Sequence, residues 1–418
     1  MIKKIANILL KFSAKIAMKR NSYKVVAITG SVGKTSTKKA ISLVLESKYS
    51  VLLSEGEGYN TEVGVPLILI QKTVPKNKIG WFFLIFAAPF LALKKRKYDF
   101  CILEMGADKP GDIEYLTRIA SPDIAVVTSV FRVHLIDFKN IEEIAKEKEK
   151  ILSRLDSGGI AIFNADNEYT SKMKPLKDAK IITFGKKSTE VQIIKQDFSE
   201  KGSVNHFKVQ GKDIVIKSSA LGEHILYVFA VAIAVGISQK IEMDKIKRAL
   251  ENFKPAKGRL NIIEGIREAT IIDDSYNANP ASMKNALDVL GKIEAKRKIA
   301  LLGSMNDLHM SEEEEHNKIG TYLVEKCDIL VTVGELAVKY LVPAAIQAGM
   351  KKENAFSFKD SSKAGEFLKG FVKNGDVVLA KGSQNKIRIE KAVKMIMKNP
   401  EGAVNILCRQ GKEWEERN

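Results

Sequence analysis

A glycine-rich segment near the amino terminus carries the strongest chemical signal in the sequence. It follows the apolar, β-branched run Lys24–Thr29 and opens a predicted helix over Lys34–Glu46. The segment consists of Gly30, Ser31, Val32, Gly33, Lys34, Thr35 and Ser36. In such a turn, backbone N–H groups and the helix start point at an anion, a lysine reaches the β- and γ-phosphates, and a hydroxyl binds Mg²⁺. The segment predicts a phosphate-binding loop, in a variant form because Ile28 stands where the strict P-loop pattern has glycine.

Three polar residues farther along the chain are candidates for metal binding. Glu104 closes the predicted strand CILE, and strand ends carry ligand chemistry in α/β sheets. Mg²⁺ takes hard oxygen ligands and keeps several waters, so Glu104 and Thr35 would suffice for one ion. His134 follows another predicted strand, although a lone histidine is more often structural. Lys148 lies in a charged helical stretch, and composition alone does not single it out.

Buried-strand segments alternate with helical segments, which predicts an α/β fold with a mostly parallel sheet. The predicted strands of the first half include Phe100–Leu103, Ile124–Thr128, Ile160–Asn164 and Ile181–Phe184. Residues 191–218 predict an antiparallel flank, and Ala220–Gly236 predicts an apolar helix. After a break at Phe253–Gly258, the alternation restarts in a smaller Rossmann-like pattern. We therefore divide the chain into a basic amphipathic helix at 1–21, a central P-loop-type domain at 22–256 and a C-terminal Rossmann-like domain at 257–418.

Composition narrows the classes of function. Of the 418 residues, 45% are apolar and 28% charged, so the chain can bury real cores. Its three cysteines are far apart and form no CxxC pair, which argues against a disulfide framework or zinc ribbon and favours the cytoplasm. The net charge of +18 admits nucleic acid, a membrane surface or anionic small substrates. Because no RNP-like or zinc-finger motif occurs, we expect no nucleic-acid partner.

Two segments leave peripheral membrane contact open. Residues 2–20 predict a basic amphipathic helix, which either packs on its own domain or contacts an anionic membrane. Its apolar positions recur at helical spacing and are Ile2, Ile5, Leu9, Phe12 and Ile16. Residues 81–93 are apolar and precede the basic run Lys94–Lys97, but they are shorter than the about 20 residues that cross a bilayer. This second segment favours a buried helix or a docking surface over an interfacial anchor.

Several short motifs occur together and in the order found in one enzyme family. They are TGSVGKTS at 29–36, NTEVGVP at Asn60–Pro66, LEMGA at Leu103–Ala107, VHLIDF…IAKEKEKI at 133–151, GR at Gly258–Arg259 and DDSYNANPASM at Asp273–Met283. With this set the chain resembles the Mur ligases over roughly residues 22–395. It most resembles the branch that adds D-Ala-D-Ala to a UDP-muramoyl tripeptide, as do LGSMNDL, EEHNKIG and VVLAKGS.

The resemblance implies two bound Mg²⁺ ions beside ATP. The loop Gly30–Ser36 would bind the ATP phosphates, and Thr35 with Glu104 would hold the first ion. His134 and a carbamylated Lys148 would hold the second. Because a carbamate forms from a neutral amine, the site must favour the neutral form of Lys148 or the metal must trap the product.

Further roles follow for residues elsewhere in the chain. Asp274, Asn277 and Arg259 would contact the nucleotide. Lys381 would lie near the reacting groups as a catalytic residue. Asn60 and Thr61 would face the acyl substrate.

The implied activity is ATP-dependent ligation of a carboxylate to an amine. The carboxylate would attack the γ-phosphate to form an acyl phosphate, and the amine would then displace phosphate. ATP, a UDP-muramoyl peptide and D-Ala-D-Ala would be the small-molecule partners of a cytoplasmic monomer. Two alternatives remain open: a Mur-like amide ligase for another acid, such as a pseudomurein peptide, a poly-amino acid or a tetrapyrrole acid, and a non-catalytic nucleotide-binding protein of an envelope complex.

The sequence departs from the family pattern at three places. Only about 23 residues precede the first predicted strand, so we expect UDP recognition to be minimal, rebuilt elsewhere or absent. Ile225 and Val228 replace two asparagines that lie by the adenine in the family, which predicts a different adenine contact. Ser304 and His309 replace the usual aspartate and glycine of the LGDMxELG motif.

Overall fold

The computed structural model describes residues 2–53, 58–75, 77–131, 138–155, 157–176, 178–306, 308, 311–411 and 414. The chain forms two compact units that interleave along the sequence. The first contains Met1–Lys195, His206–Ile216 and His224–Phe253, and the second contains Gln196–Asn205, Lys217–Glu223 and Lys254–Asn418.

A nine-stranded sheet, most of which lies in the described part of the first unit, has the order β2-β3-β1-β4-β5-β6-β7-β8-β9. Its strands are β1 (Lys24–Thr29), β2 (Val51–Leu52), β3 (Phe100–Glu104), β4 (Ile124–Val127), β5 (Ile160–Asn164), β6 (Lys180–Gly185), β7 (Val191–Ser199), β8 (Gly202–Val209) and β9 (Lys212–Ser218). The helices are α1 (Ile2–Arg20), α2 (Lys34–Glu46), α3 (Gly64–Leu69), α4 (Lys78–Ala92), α5 (Asp112–Thr117), α6 (Ile141–Glu149), α7 (His224–Ser238) and α8 (Met243–Glu251).

The central strands of this sheet are parallel and buried. Strand β1 pairs in parallel with both β3 and β4, and Ile28 lies opposite Glu104 in this register. Nearly every residue of β1 and all of β3 and β4 are buried, as expected for strands covered on both faces. The carboxyl ends of the three strands therefore meet at one edge, with the glycine-rich loop in the middle.

Helix α2 leaves this loop and is held by close packing on α7 and α8. Gly236 in α7 faces α2 so tightly that an added Cβ would lie 2.8 Å from a Val44 methyl and 2.6 Å from the Ile246 methyl. The contact fixes the helix whose first turn carries Lys34 and Thr35.

Helix α1 packs on α3 and α4 through small residues. Its buried residues are Ala6, Leu10, Ser13, Ala14 and Ala17. Of the stripe noted in the sequence, Phe12 is exposed, and Leu9 and Ile16 are only partly buried. Alanines permit the close approach of two helices, which large side chains would prevent.

A six-stranded sheet organises the second unit within the described residues, in the order β10-β11-β15-β12-β13-β14. Its strands are β10 (Asn261–Glu264), β11 (Thr270–Asp273), β12 (Arg297–Gly303), β13 (Ile329–Val333), β14 (Ala355–Phe358) and β15 (Asp376–Lys381). Its helices are α9 (Pro280–Lys292), α10 (Glu312–Leu323), α11 (Val342–Gln347), α12 (Ser361–Phe371), α13 (Glu390–Ile396) and α14 (Ala403–Ile406). All pairings are parallel except that of β10 with β11. The two sheets confirm the predicted α/β fold class.

We expect Gly236→Ala to lower the free energy of unfolding by about 1–3 kcal/mol, because the added methyl overpacks the contact with α2 and α8. The matched control is Gly370→Ala in α12, where nothing lies within 4 Å of the added Cβ. There the higher helix propensity of alanine should stabilise by up to about 1 kcal/mol. Urea unfolding of both variants measures the difference, and equal midpoints would contradict the packing argument.

Candidate active site

The loop between β1 and α2 can close only because two of its residues are glycines. Gly30 has a φ of 147°, and a Cβ there would lie 1.9 Å from Oγ1 of Thr128. Gly33 precedes α2 in the left-handed conformation, with a φ of 79°. Thr128, which follows β4, donates a hydrogen bond of 2.8 Å to the carbonyl of Val32. The loop is thus shaped by the end of the neighbouring strand, and its N–H groups gather at the start of a helix.

Lys34 folds back over this loop. Its Nζ donates a 2.8 Å hydrogen bond to the carbonyl of Gly30. Burial lowers the pKa of Lys34, while the charges of Glu104 and Asp108 act in the opposite direction. A partly desolvated ammonium beside a cradle of N–H groups is suited to a polyphosphate.

Thr35 and Glu104 place two hard oxygen atoms side by side. The Thr35 hydroxyl donates to Oε2 of Glu104 at 3.0 Å, and Glu104 is buried at the end of β3. Within the described ranges, no group of three or more His, Cys, Asp or Glu side chains could hold a metal ion. A hydroxyl and a single carboxylate fit Mg²⁺, which commonly binds one or two carboxylates, phosphate oxygens and water.

Lys148 is buried in α6, in the same electrostatic environment as Lys34. Burial, and then the positive charge of Lys34, lower the pKa of Lys148 to about 8, against the opposing effect of Glu147 and Asp108. Its neighbour Glu147 anchors the helix by accepting hydrogen bonds of 2.8 Å from the backbone N–H groups of Gly111 and Ile113. A buried amine with a pKa near 8 is partly neutral at physiological pH and can act as a nucleophile.

The loop with Asn60 and Thr61 is tied to the end of β3. The N–H of Gly106 donates to the carbonyl of Asn60 at 2.9 Å. Thr61 accepts a hydrogen bond of 3.1 Å from the N–H of Gly64, the first residue of α3. The first of these bonds holds the loop against Gly106, which is two residues after Glu104 in the chain.

The start of α7 differs from the family pattern in the way the sequence predicts. Ile225 and Val228 are buried apolar side chains. Tyr227 between them donates a hydrogen bond of 2.9 Å to Asp166. Neither of these two side chains has a polar atom that could bind a nucleotide base.

Four predicted site residues lie close together in the second unit. Lys381, which is completely buried at the end of β15, donates to Oδ2 of Asp274 at 2.5 Å and to the carbonyl of Asn277 at 2.9 Å. Burial raises the pKa of Asp274, and the charges of Lys381 and Arg259 oppose the shift. Arg259 stacks over the ring of Tyr276 at 4.1 Å. The cluster is a preformed network of charges at one end of a parallel sheet.

Arg409 braces this cluster from the carboxyl-terminal segment. It donates to the carbonyls of Ser275 at 2.5 Å and Tyr276 at 2.8 Å, and it pairs with the buried Glu390 at 2.8 Å. Next to it, burial and the charges of Asp274 and Glu390 raise the pKa of Asp273 to about 7.

The structure brings together most of the residues named from the sequence. Lys34, Thr35, Glu104 and Lys148 converge in the first unit, whereas His134 lies outside the described residues. Sequence analysis missed the residues that support these groups, namely Asp108, Glu147 and Arg409. Asp108 follows LEMGA directly and could have been noticed, but Glu147 and Arg409 carry no local signal because their partners are distant in sequence.

Two family models match the chain. The Mur ligase middle domain matches residues 28–236, and the Mur ligase glutamate ligase domain matches residues 258–384. The UDP-N-acetylmuramoyl-tripeptide–D-alanyl-D-alanine ligase of Bacillus subtilis is 28% identical over 394 residues, which are 93% of this chain and 79% of that enzyme. The enzyme of the same name from Buchnera aphidicola subsp. Baizongia pistaciae is 34% identical over 316 residues, which are 75% of this chain and 64% of that enzyme.

Solved structures extend the similarity to the fold. MurF of Acinetobacter baumannii aligns with a TM-score of 0.75 and 25% identity, covering 94% of this chain and 79% of that one. MurF ligase of Thermotoga maritima in complex with ADP aligns with a TM-score of 0.73 and 27% identity, covering 95% and 84%. With both domain models matched and the fold shared with solved MurF structures, the chain belongs to the Mur ligase family.

Proposed function

We propose that the chain is an ATP-dependent ligase that joins D-Ala-D-Ala to the terminal carboxylate of a UDP-N-acetylmuramoyl tripeptide. The observation that carries the proposal is the convergence of Lys34, Thr35, Glu104 and Lys148 at one end of the first sheet. The relatives support the choice of substrates, because they carry the name of this ligase. ADP in the Thermotoga maritima structure supports ATP as the nucleotide.

The residues of the first unit act mainly by electrostatics. The loop Gly30–Ser36 binds and orients the phosphates, and Lys34 stabilises negative charge that develops when the substrate carboxylate attacks the γ-phosphorus. Asn60 and Thr61 face the acyl substrate. The bond between the γ-phosphorus and its bridging oxygen breaks, and ADP leaves. The amine of D-Ala-D-Ala then attacks the acyl carbon of the acyl phosphate, a proton is lost, and phosphate leaves.

The donor atoms fit Mg²⁺ as an ion resident in this site. Thr35 and Glu104 would hold the first ion, and His134 with the carbamate of Lys148 would hold the second. When bound, the ions neutralise charge on the transferring phosphoryl group. The buried Glu147 keeps α6 in place, so that Lys148 remains directed to this site.

The surroundings of Lys148 support its proposed carbamylation. With a pKa of about 8, roughly one tenth of the amine is neutral at pH 7, against roughly four in ten thousand for an ordinary lysine. A neutral amine captures CO₂, forms an N–C bond and releases a proton, which leaves an anionic carbamate. The reaction also removes the repulsion between Lys148 and Lys34.

We assign the second unit the remaining roles that the family resemblance implies. Asp274, Asn277 and Arg259 contact the nucleotide, and Lys381 lies near the reacting groups. The proposed domains remain a basic helix at 1–21, a central ATP-binding domain at 22–256 and a C-terminal domain at 257–418. We place the enzyme in the cytoplasm as a monomer, in keeping with three buried, free cysteines.

The direct test is ADP release measured with both substrates. We expect ADP and ligated product only when the UDP-muramoyl tripeptide and D-Ala-D-Ala are present together, and we expect Lys34→Ala to abolish turnover. Lys39→Gln, on the exposed side of α2, is the charge-matched control. If the purified protein binds ATP but releases ADP only with a different acid or amine, the assignment of substrates is wrong.

Replacing Thr35 tests the phosphate and metal site without removing charge. Thr35→Val deletes the hydroxyl that faces Glu104, so binding of Mg·ATP should weaken at least about tenfold, the cost typical of losing even an outer partner of a metal. Thr35→Ser retains the hydroxyl and should restore binding. Titration calorimetry with and without Mg²⁺ measures both, and an unchanged Mg²⁺ dependence in Thr35→Val would refute the assignment.

Lys148→Arg keeps the positive charge but cannot form a carbamate. With ¹³CO₂, the wild-type holoenzyme should give a lysine-carbamate NMR signal that grows from pH 7 to 9 at constant dissolved CO₂, because the neutral amine becomes more abundant above its pKa of about 8. Lys148→Arg should lack both the signal and the turnover. Acetate should partly rescue Lys148→Ala by supplying the missing carboxylate. An identical signal in wild type and Lys148→Arg would exclude carbamylation of this lysine.

A further inference from the structure

Helix α4 exposes an apolar face that its own unit leaves uncovered. The exposed side chains follow helical spacing along one side and are Ile79, Phe82, Phe83, Phe86, Phe90 and Leu93, the residue that ends the helix. Phe83 is 67% exposed and Phe90 is 77% exposed. The opposite side packs inward through Leu84, Ala88 and Ala92. Large apolar patches of this kind mark a binding surface.

Helix α1 lies alongside α4 and has exposed apolar side chains of its own. It packs on α4 and exposes Ile8 and Phe12. The carboxyl-terminal ends of the two helices are tied together, because Arg20 donates to the carbonyl of Leu93 at 3.2 Å and the N–H of Arg96 donates to Asn21 at 2.7 Å. The exposed side chains of α1 and α4 are called the aromatic face below.

The two sequence segments that carry the aromatic face are basic. Residues 1–45 and 63–98 contain no aspartate or glutamate. Exposed cations cluster where the two helices end and are Lys19, Arg20, Lys94, Lys95 and Lys97. Aromatic side chains bordered by lysine and arginine are complementary to the boundary between acyl chains and anionic headgroups.

The lengths of the helices favour contact with a membrane surface over a span across the membrane. Helix α4 has 15 residues and is about 22 Å long, less than the about 30 Å of a hydrocarbon core. None of the helices in the described part of the chain is long and apolar enough to span a membrane. A second copy of this chain is a poor occupant, because symmetric pairing would bring two basic clusters together.

We propose that the aromatic face docks on a lipid bilayer that contains anionic lipids. The phenylalanines of α4 enter the boundary of headgroups and acyl chains, and the basic cluster binds the headgroups. None of the proposed catalytic residues belongs to this face, so the proposal does not rest on the ligase function.

The docking surface adjoins the loop assigned to the acyl substrate. Asn7 in α1 donates a hydrogen bond of 2.9 Å to Glu62, next to Thr61. Lys11 lies over the ring of Tyr115 at 4.2 Å, which joins α1 to α5. If the proposed ligase function holds, membrane docking places the entrance for the acyl substrate close to the lipid surface.

Vesicle flotation of the full chain tests the proposal. We expect the protein to float with vesicles of phosphatidylglycerol and phosphatidylcholine, and to float at least about tenfold less with phosphatidylcholine alone or in high salt. Phe86→Ser with Phe90→Ser should reduce flotation to a similar extent, as should Lys94→Gln, Lys95→Gln and Lys97→Gln together.

Two matched controls separate docking from general effects. Leu176→Ser changes an apolar residue that is 78% exposed outside the face, and Lys351→Gln, Lys352→Gln and Lys359→Gln remove the same charge in the second unit. Both should float like wild type. Absence of flotation in the wild type, or equal losses in the controls, would overturn the proposal.

A dimer that Phe86→Ser dissociates, without any vesicle binding, would identify a second copy as the occupant. ADP release with soluble substrates should be unchanged in the Phe86→Ser, Phe90→Ser variant, so failure of docking is distinguishable from failure of the ligase assignment.

Discussion

The repulsion between two partly buried lysines is the interaction on which the chemistry of the first unit depends. Burial lowers the pKa of both Lys34 and Lys148, and the charge of Lys34 lowers that of Lys148 further. Like charges removed from water persist only if anions join them or one of them loses its proton. In the proposed function, a polyphosphate would supply the anions, and conversion of Lys148 to a carbamate would remove its positive charge. One electrostatic constraint would thus favour both proposed steps.

Parallel pairing of the strands brings the glycine-rich loop and Glu104 together. Because β1 lies between β3 and β4, the glycine-rich loop, Glu104 and Thr128 all follow strand ends on the same edge of the sheet. Thr128 shapes the loop from one side, and Glu104 meets Thr35 from the other. Gly236 then fixes α2 from behind, so the geometry of the loop depends on packing about 200 positions away in sequence.

The sequence predicted the elements with local signals and missed those set by distant contacts. Strand β1 and helix α2 have the predicted bounds, because a β-branched run, a glycine turn and a helical pattern follow one another. The packing face of α1 was not predictable from the spacing of large apolar residues, since the alanines make the contact. Lys148 was named by resemblance alone, because its burial and its proximity to Lys34 arise only when α6 is anchored on α5 through Glu147. His134 stays a prediction.

The second unit buries acidic side chains, whereas the first unit buries lysines. Asp273 and Asp274 are adjacent and buried, and two carboxylates cannot both ionise there without partners. Lys381 supplies a partner to Asp274 from inside the unit, while Asp273, with a pKa raised to about 7, can remain protonated near neutral pH. The described residues offer Oδ2 of Asp273 no hydrogen-bond partner. The two units therefore differ in kind: the second neutralises much of its buried charge internally, whereas in the first the charges of Glu104, Asp108 and Glu147 only partly offset the burial that lowers the pKa of Lys34 and Lys148. Under the proposed function, this difference suits the first unit to binding the phosphates of the nucleotide.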